Sequence, residues 1–430
     1  MPDAPRPILL VSGGHTTQTL WAPLAEHYDL AFLAVQAAQA AAGQGLPAAP
    51  ISSAVDADIS EHIQNETVML AAKVANNAAL LAERFGGLLE HSGPELLNGK
   101  LPGWFPGFAH HLMGATVSVL AALDAIERAK RQIVGCVVHE DVSLDTRAMV
   151  AWCNLRGIPT FHVPHAPCHL LPGVVDIHGE TRAQYIAAGG PAGAEFYISR
   201  GHDPAMVASL GVPQWDEFYH GVIPDPLEAR RILKVPDGLP VICYIASWAQ
   251  TTSMRSGFED EFTAGWKSVL AQAQTRKAFL IAKLHPTDGR SDESHPYKTD
   301  MDSAGVAGLM TRHHFGYTIR ASDVLVAQTP SNACLNGAIL GVPSCYLTTE
   351  GFDYATALPY RGVPETIGEA IDEALASRGA LAWDEFVAQY NAAHPDGDAA
   401  ARVTDWIVSK IAESEADRRG TRTLVNDAAY

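Results

Sequence analysis

The stretch ASDVLVAQTPSNACLNGAILGVPSCYL, residues 321–347, decides the fold. Val324–Ala327 is a short, wholly apolar run, the pattern of a strand buried on both faces. Thr329 to Asn332 supply turn and capping residues, and Ser331–Leu340 has helical spacing. Gly341-Val342-Pro343 stops that helix ahead of a second apolar run, Ser344–Leu347. Strand, helix and strand in that order make one βαβ unit.

The same rhythm extends in both directions. Val241–Ala246 reads as a strand, Gly257–Gln274 as a helix and Ala278–Leu284 as a strand. Residues 364–378 and 383–418 read as helices, and the last dozen residues as a loose polar tail. Residues 222–240, VIPDPLEARRILKVPDGLP, hold four prolines and read as a domain boundary. Ahead of it lies a second set. Ile8–Ser12 is a strand closed by Gly13 and Gly14, followed by a helix at Thr17–Glu26 and a strand at Leu30–Val35. Ile133–Val138 is a strand ending in His139-Glu140-Asp141, Asp145–Arg156 a helix and Thr160–Val163 a strand. Ala183–Ala188 and Glu195–Ile198 read as short strands.

Residues from about 57 to 131 break the alternation. Asp58 to Leu89 and Leu112–Arg131 have helical spacing, and NGKLPGWFPGFAHH, residues 98–111, reads as an exposed loop between them. The expectation is an α/β chain of two Rossmann-like domains facing across a cleft, with a helical insertion in the first. Residues 1–222 form the first domain, 223–400 the second, and 401–430 a terminal helix and tail.

Composition excludes several classes. The 430 residues are 47% hydrophobic, enough for two cores, and carry a formal net charge of −18. That charge opposes tight unaided binding to nucleic acid and a polybasic hold on anionic lipid. Cys136, Cys153, Cys168, Cys243, Cys334 and Cys345 form no CxxC pair and sit mostly in apolar runs, as expected of reduced thiols in a cytoplasmic protein. No signal-peptide layout opens the chain, and no run reaches the roughly 20 apolar residues that a membrane span needs.

Open parallel sheets bind ligands beyond the C-terminal ends of their strands. In the second half those ends present Ser247, then Lys283, His285 and Pro286, then Thr329, Ser331 and Asn332. A helix N-terminus after a strand suits a phosphate, and Lys283 and His285 can neutralise a leaving diphosphate. The bland alternative is an N-cap at Ser331 and a loop histidine at His285. In the first half, Gly13, Gly14 and His15 form a loop that lets the backbone approach a ligand closely, or simply a tight turn. Glu140, Asp141 and His165 follow strands and are the candidate bases, with helix capping the alternative for the carboxylates. His162, His165 and His169 are spaced for a metal, but Pro164 and Pro167 forbid a regular helix there, and no metal site is expected.

The strings GVPQWD (211–216), VICYIASWAQ (241–250), KLHP (283–286) and the stretch 321–347 together resemble one superfamily. It comprises GT-B fold capsule glycosyltransferases, CDP-glycerol glycerophosphotransferases and UDP-N-acetylglucosamine 2-epimerases. The likeness covers about residues 205–350. It implies a metal-independent transferase without a cofactor, whose donor diphosphate lies on His285, Pro286, Ser331 and Asn332. Asn336 stands where many relatives have a ribose-binding Glu, and an amide can still hydrogen-bond a ribose. Ala249-Gln250 replaces the Arg usual in the glycerophosphotransferases, and the Glu-Glu pair of the epimerases is absent. The resemblance therefore implies a glycosyltransferase using a UDP- or CMP/CDP-linked sugar. A CDP-linked polyol-phosphate transferase and a non-catalytic nucleotide-binding homologue are the alternatives. The acceptor is a hydroxyl of a glycan, lipid-linked glycan or small molecule, or of a hydroxymethylated phage DNA base, the last opposed by the charge.

Overall fold

The computed structural model describes residues 6–14, 17–55, 101–141, 143–164, 181–246, 259–285, 290–312, 314–328, 332–347, 360–377 and 382–427, with single positions 61, 65, 68, 69, 73 and 288. At 101–113, 115, 259, 382–383 and 419–427 only the backbone is described.

Two sheets organise these residues. The first comprises β1 (Ile8–Val11), β2 (Asp29–Phe32), β3 (Ala48–Pro50), β4 (Ile133–Val138), β5 (Thr160–His162), β6 (Tyr185–Ala188) and β7 (Val207–Ser209), in the order β3-β2-β1-β4-β5-β6-β7. The second comprises β8 (Val241–Ile245), β9 (Phe279–Lys283), β10 (Gly308–Thr311), β11 (Val324–Ala327), β12 (Ser344–Leu347) and β13 (Arg361–Gly362), in the order β10-β9-β8-β11-β12-β13. Strands pair in parallel from β3 through β6 and throughout the second sheet. Both orders are the doubly wound one, with chain direction across the sheet reversing between β1 and β4 and between β8 and β11.

The cause is the apolar content of the central strands. β1, β4, β8, β9, β11 and β12 are buried at every residue. Each fully buried Val, Leu or Ile there contributes about 1.5–3 kcal/mol, which only cover on both faces can secure.

The described residues fall into two compact units. The first runs to position 164 and adds 181–187 and everything from Val403 on; the second is Ala188–Arg402. In the first, the helix Leu101–Arg128 packs Val119, Leu123 and Ile126 against Ile8, Leu10, Ile133 and Cys136. In the second, alternation along β8 feeds two cores. Val241, Cys243 and Ile245 join Trp215, Leu335 and Tyr346, while Ile242 and Tyr244 join Trp266, Val269 and Ile371. Cys136, Cys153, Cys243, Cys334 and Cys345 are buried thiols outside any disulfide; Cys168 lies outside the described residues.

Several sequence expectations are corrected. Residues 101–111, expected in a loop, form the first turns of the helix Leu101–Arg128. Pro102 lies in the first turn, where no N–H is needed, and Pro106 forgoes a single bond. Glu195–Ile198 is not a strand but part of the helix Pro191–Ser199, which Pro191 opens. The helix expected over 383–418 is two, Ala382–Tyr390 and Ala399–Asp427, interrupted around Pro395 and Gly397. The tail expected to be loose is helical as far as Asp427. The stretch 222–240 falls between β7 and β8 in chain order and includes a helix, Pro226–Ile232, capped by the Asp225 carboxylate at the N–H groups of Leu227 and Glu228. The expected helix over 58–89 lies outside the described residues except for single positions.

Candidate functional site

In the second unit, β9 delivers Lys283 and His285 to the C-terminal edge of the sheet. Lys283 is buried, and its Nζ donates to the Leu284 carbonyl at 2.9 Å and lies 5.8 Å from the Phe315 ring centroid. Burial lowers its pKa, with Cys243 pulling the other way and Arg312 adding to the lowering. His285 is half-buried; burial and then Lys283 lower its pKa, against Asp288. The loop beyond is tied down. Arg290 Nε donates to Asp288 Oδ1 at 2.9 Å, and Arg312 Nη2 donates to the Asp288 and Arg290 carbonyls at 3.0 and 3.1 Å.

Buried His295 caps the helix Pro296–Ala304, its Nδ1 accepting from Tyr297 N–H at 3.2 Å, and its Nε2 lies 3.3 Å from Asp288 Oδ2. A capping Nδ1 must be unprotonated, so Nε2–H donates to the carboxylate. Burial alone would raise the Asp288 pKa, but the hydrogen bonds from Arg290 and His295 outweigh it and hold it well below the usual carboxylate range.

The next strand but one, β11, leads to the helix Asn332–Ile339. Asn332 and the buried Asn336 stand one turn apart on it, and each Oδ1 is buried with no hydrogen-bond partner among the described residues. Such an orphaned amide oxygen costs about 1–3 kcal/mol. β8 lies between β9 and β11, so Lys283, His285 and Asn332 flank the reversal point on one edge of the sheet. Ser247, Pro286, Thr329 and Ser331 lie outside the described residues.

In the first unit, Gly13 has φ +87°, and a Cβ there would stand 2.8 Å from that of Ala37. Gly14 lies against the His139 ring. Asp141 is buried and clamps the chain. Its Oδ2 accepts from Thr181 Oγ1 at 2.9 Å and from the Arg182 N–H, while its Oδ1 is buried without a partner among the described residues. The Glu140 carboxylate accepts from Ser143 N–H and Oγ at 3.1 and 3.0 Å, ahead of the helix Leu144–Leu155. His162 is buried in β5; His15, His165 and His169 lie outside the described residues. Among the described residues no group of His, Cys, Asp and Glu could hold a metal, and no helix is long and apolar enough to cross a membrane.

Sequence reasoning passed over one pair. Ser12 directly follows β1 and His139 directly follows β4, and Ser12 Oγ lies 2.7 Å from His139 Nδ1. The available signal was position, since His139 precedes Glu140 and Asp141 at the same strand end. A cavity of about 850 Å³ lies at the opposite edge of this sheet, lined by Lys130, Arg131, Trp152, Arg156, Tyr185 and Arg418 among others. It is walled by Gln132 and Gln184, just before β4 and β6, so it is remote from the strand ends that carry these candidates.

No family model matches the sequence. No curated protein matches it either. Solved structures do match in fold. A Listeria monocytogenes protein assigned as a UDP-N-acetylglucosamine 2-epimerase aligns with TM-score 0.53 and 16% identity over 95% of this chain and 98% of its own. MnaA of S. aureus, solved with UDP, aligns with TM-score 0.51 and 13% identity over 94% and 96%. The wall teichoic acid polymerase TagF aligns less well, with TM-score 0.45 and 15% identity over 66% and 75%. The fold is that of the GT-B proteins: two Rossmann-like parallel sheets with helices.

Proposed function

We propose that this chain is a glycosyltransferase that moves a sugar from a nucleotide-activated donor to an acceptor hydroxyl. The second unit holds the donor. The observation that carries the reading is the pair of orphaned amide oxygens, Asn332 Oδ1 and Asn336 Oδ1, at the start of the helix after β11. A buried acceptor without a partner calls for an explanation, and a bound ligand supplies one. Ribose hydroxyls are donors that fit Asn336, while Ser331 and the first N–H groups of the helix suit phosphate oxygens. Lys283 and His285, on the far side of β8, would stabilise the charge that builds on the departing diphosphate. The UDP bound to MnaA supports a uridine nucleotide as the first ligand to try.

The base is assigned to Glu140, Asp141 or His165. The hydrogen bonds to Thr181 and Arg182 give Asp141 a structural task, and those from Ser143 give Glu140 one.

The test is a panel of UDP-, CDP- and CMP-linked sugars with CDP-glycerol, assayed for free nucleotide with and without glycan acceptors. Release of UDP or CDP, or of CMP from a CMP-linked sugar, with sugar on the acceptor supports the reading. Conversion of UDP-N-acetylglucosamine to its 2-epimer without net UDP release would replace it by the epimerase activity assigned to the Listeria protein. Consumption of CDP-glycerol alone would replace it by polyol-phosphate transfer. His285→Ala and Ser331→Ala should each weaken nucleotide binding by roughly tenfold to hundredfold.

A further inference from the structure

The cavity at the N-terminal edge of the first sheet is built from the first unit alone. Its volume of about 850 Å³ suits a small organic molecule. β4 separates it from His139 and Asp141. Six residues at about 3.3 Å each put the two ends of that strand about 20 Å apart. The cavity is therefore no part of a ligand site at the C-terminal strand ends.

Its floor is apolar, with Ile133, Ile158, Trp152 and Tyr185 all buried. Its walls are charged. In a chain with 30 Lys and Arg against 48 Asp and Glu, Lys130, Arg131, Arg156 and Arg418 gather here. The acids that line the cavity are already engaged. Glu127 holds Arg156 Nη2 at 3.3 Å, Glu413 accepts from Lys410 at 2.8 Å, and Glu415 accepts from Gln132 at 2.8 Å. Asp417 is engaged too.

The guanidinium groups are short of acceptors. Each carries five N–H donors. Arg418 Nε donates to the Ser414 carbonyl at 3.3 Å, but its buried Nη2 has no partner among the described residues. Arg131 Nη2 donates to Asp29 Oδ2 at 2.7 Å and to the Arg6 carbonyl at 3.4 Å, while its buried Nε has no partner among the described residues. Arg156 is fixed in advance. Its guanidinium lies 3.9 Å from the Trp152 ring centroid and is held by Asp124 and Glu127, so little order is lost when a ligand meets it.

An apolar floor beneath under-satisfied guanidinium groups fits one class of ligand, an anion on an apolar body. A phosphate or carboxylate accepts from a guanidinium fork through two oxygens at once. The body covers the floor and gains by leaving water. A cation would meet four like charges, and a wholly apolar molecule would leave the N–H groups unpaired.

We propose that this cavity is a second ligand site, which takes a small organic anion with its phosphate or carboxylate on Arg131 and Arg418. The site does not depend on the transfer reading.

The test is calorimetric titration of the full chain with phenyl phosphate, benzoate and benzylamine, each with and without UDP. Phenyl phosphate or benzoate should bind at one site that UDP does not displace, and the tighter of the two identifies the head group. Benzylamine should not bind. Arg418→Gln breaks no ion pair among the described residues, so it tests the site without loosening the fold. It should weaken the anion by roughly tenfold to hundredfold and leave UDP affinity unchanged. Arg131→Gln should weaken it similarly. No binding of either anion to the wild type, equal affinity in folded Arg418→Gln, or displacement by UDP overturns the inference. A wild type that binds the anion but no nucleotide overturns the donor site alone, so the two readings fail separately.

Discussion

A β-carbon at Gly14 would stand 2.7 Å from the ring of His139, closer than any real Cβ contact allows. Gly14 has no left-handed φ, so the glycine is required here by the imidazole and not by the turn. Gly14→Ala should destabilise the first unit by about 1–3 kcal/mol, as overpacking does. The cost should largely vanish in a His139→Ala background, where the ring is gone. Denaturant unfolding of the four proteins in this double-mutant cycle measures it; additive effects would show that the two residues do not touch.

Asp216 gives a pH-dependent handle on the second unit. Its carboxylate accepts from the N–H groups of Ala399 and Ala400 at 3.1 and 2.8 Å, at the start of the helix Ala399–Asp427. Burial raises its pKa to about 6, against the opposing pull of those two hydrogen bonds. The folded state therefore holds this proton more tightly than the unfolded one. Stability from this group is full below about pH 4 and falls as pH rises towards 6, by up to roughly 3 kcal/mol. Asp216→Asn, which has no proton to lose, should remove that slope from a plot of Tm against pH. An unchanged slope would place the titration elsewhere.

The interior of both sheets was legible in the sequence, and their edges were not. Ile133–Val138, Val324–Ala327 and Ser344–Leu347 are strands with the bounds read from their apolar runs. The strands passed over are β3, β7, β10 and β13, which are the four edge strands of the two sheets. An edge strand is covered on fewer sides, so Ala48–Pro50, Val207–Ser209 and Gly308–Thr311 are largely exposed or half-buried and carry no continuous apolar run. Glu195–Ile198 misled because its aromatic and β-branched residues suit a strand, while Pro191 sets a helix going. At the candidate site, position at or after a strand end singled out Lys283, His285 and Asn332 as candidates. It could not reveal that Ser12 and His139 meet, because that contact joins residues 127 positions apart.

Lys283 separates binding from stability. It is buried, and burial holds its pKa below the usual value. The unfolded state thus binds this proton more tightly, and wild-type stability should climb as pH rises into the lysine range. Lys283→Met should flatten that climb and leave Tm unchanged or higher, since an apolar chain of similar length fills the site. The same variant should bind UDP roughly tenfold or more weakly. Lower stability with unchanged UDP affinity would make Lys283 a structural residue.

The claim that matters most is that the second sheet carries a nucleotide site completed by Asn332 and Asn336. Calorimetric titration of UDP and CDP into the full chain, wild type and Asn336→Leu, tests it most directly. The account predicts one nucleotide bound per wild-type chain. It predicts an affinity at least about tenfold lower in Asn336→Leu, which removes the orphaned oxygen and leaves the ribose unpaired. Equal affinity in the two proteins, or no binding of either nucleotide to the wild type, would contradict it.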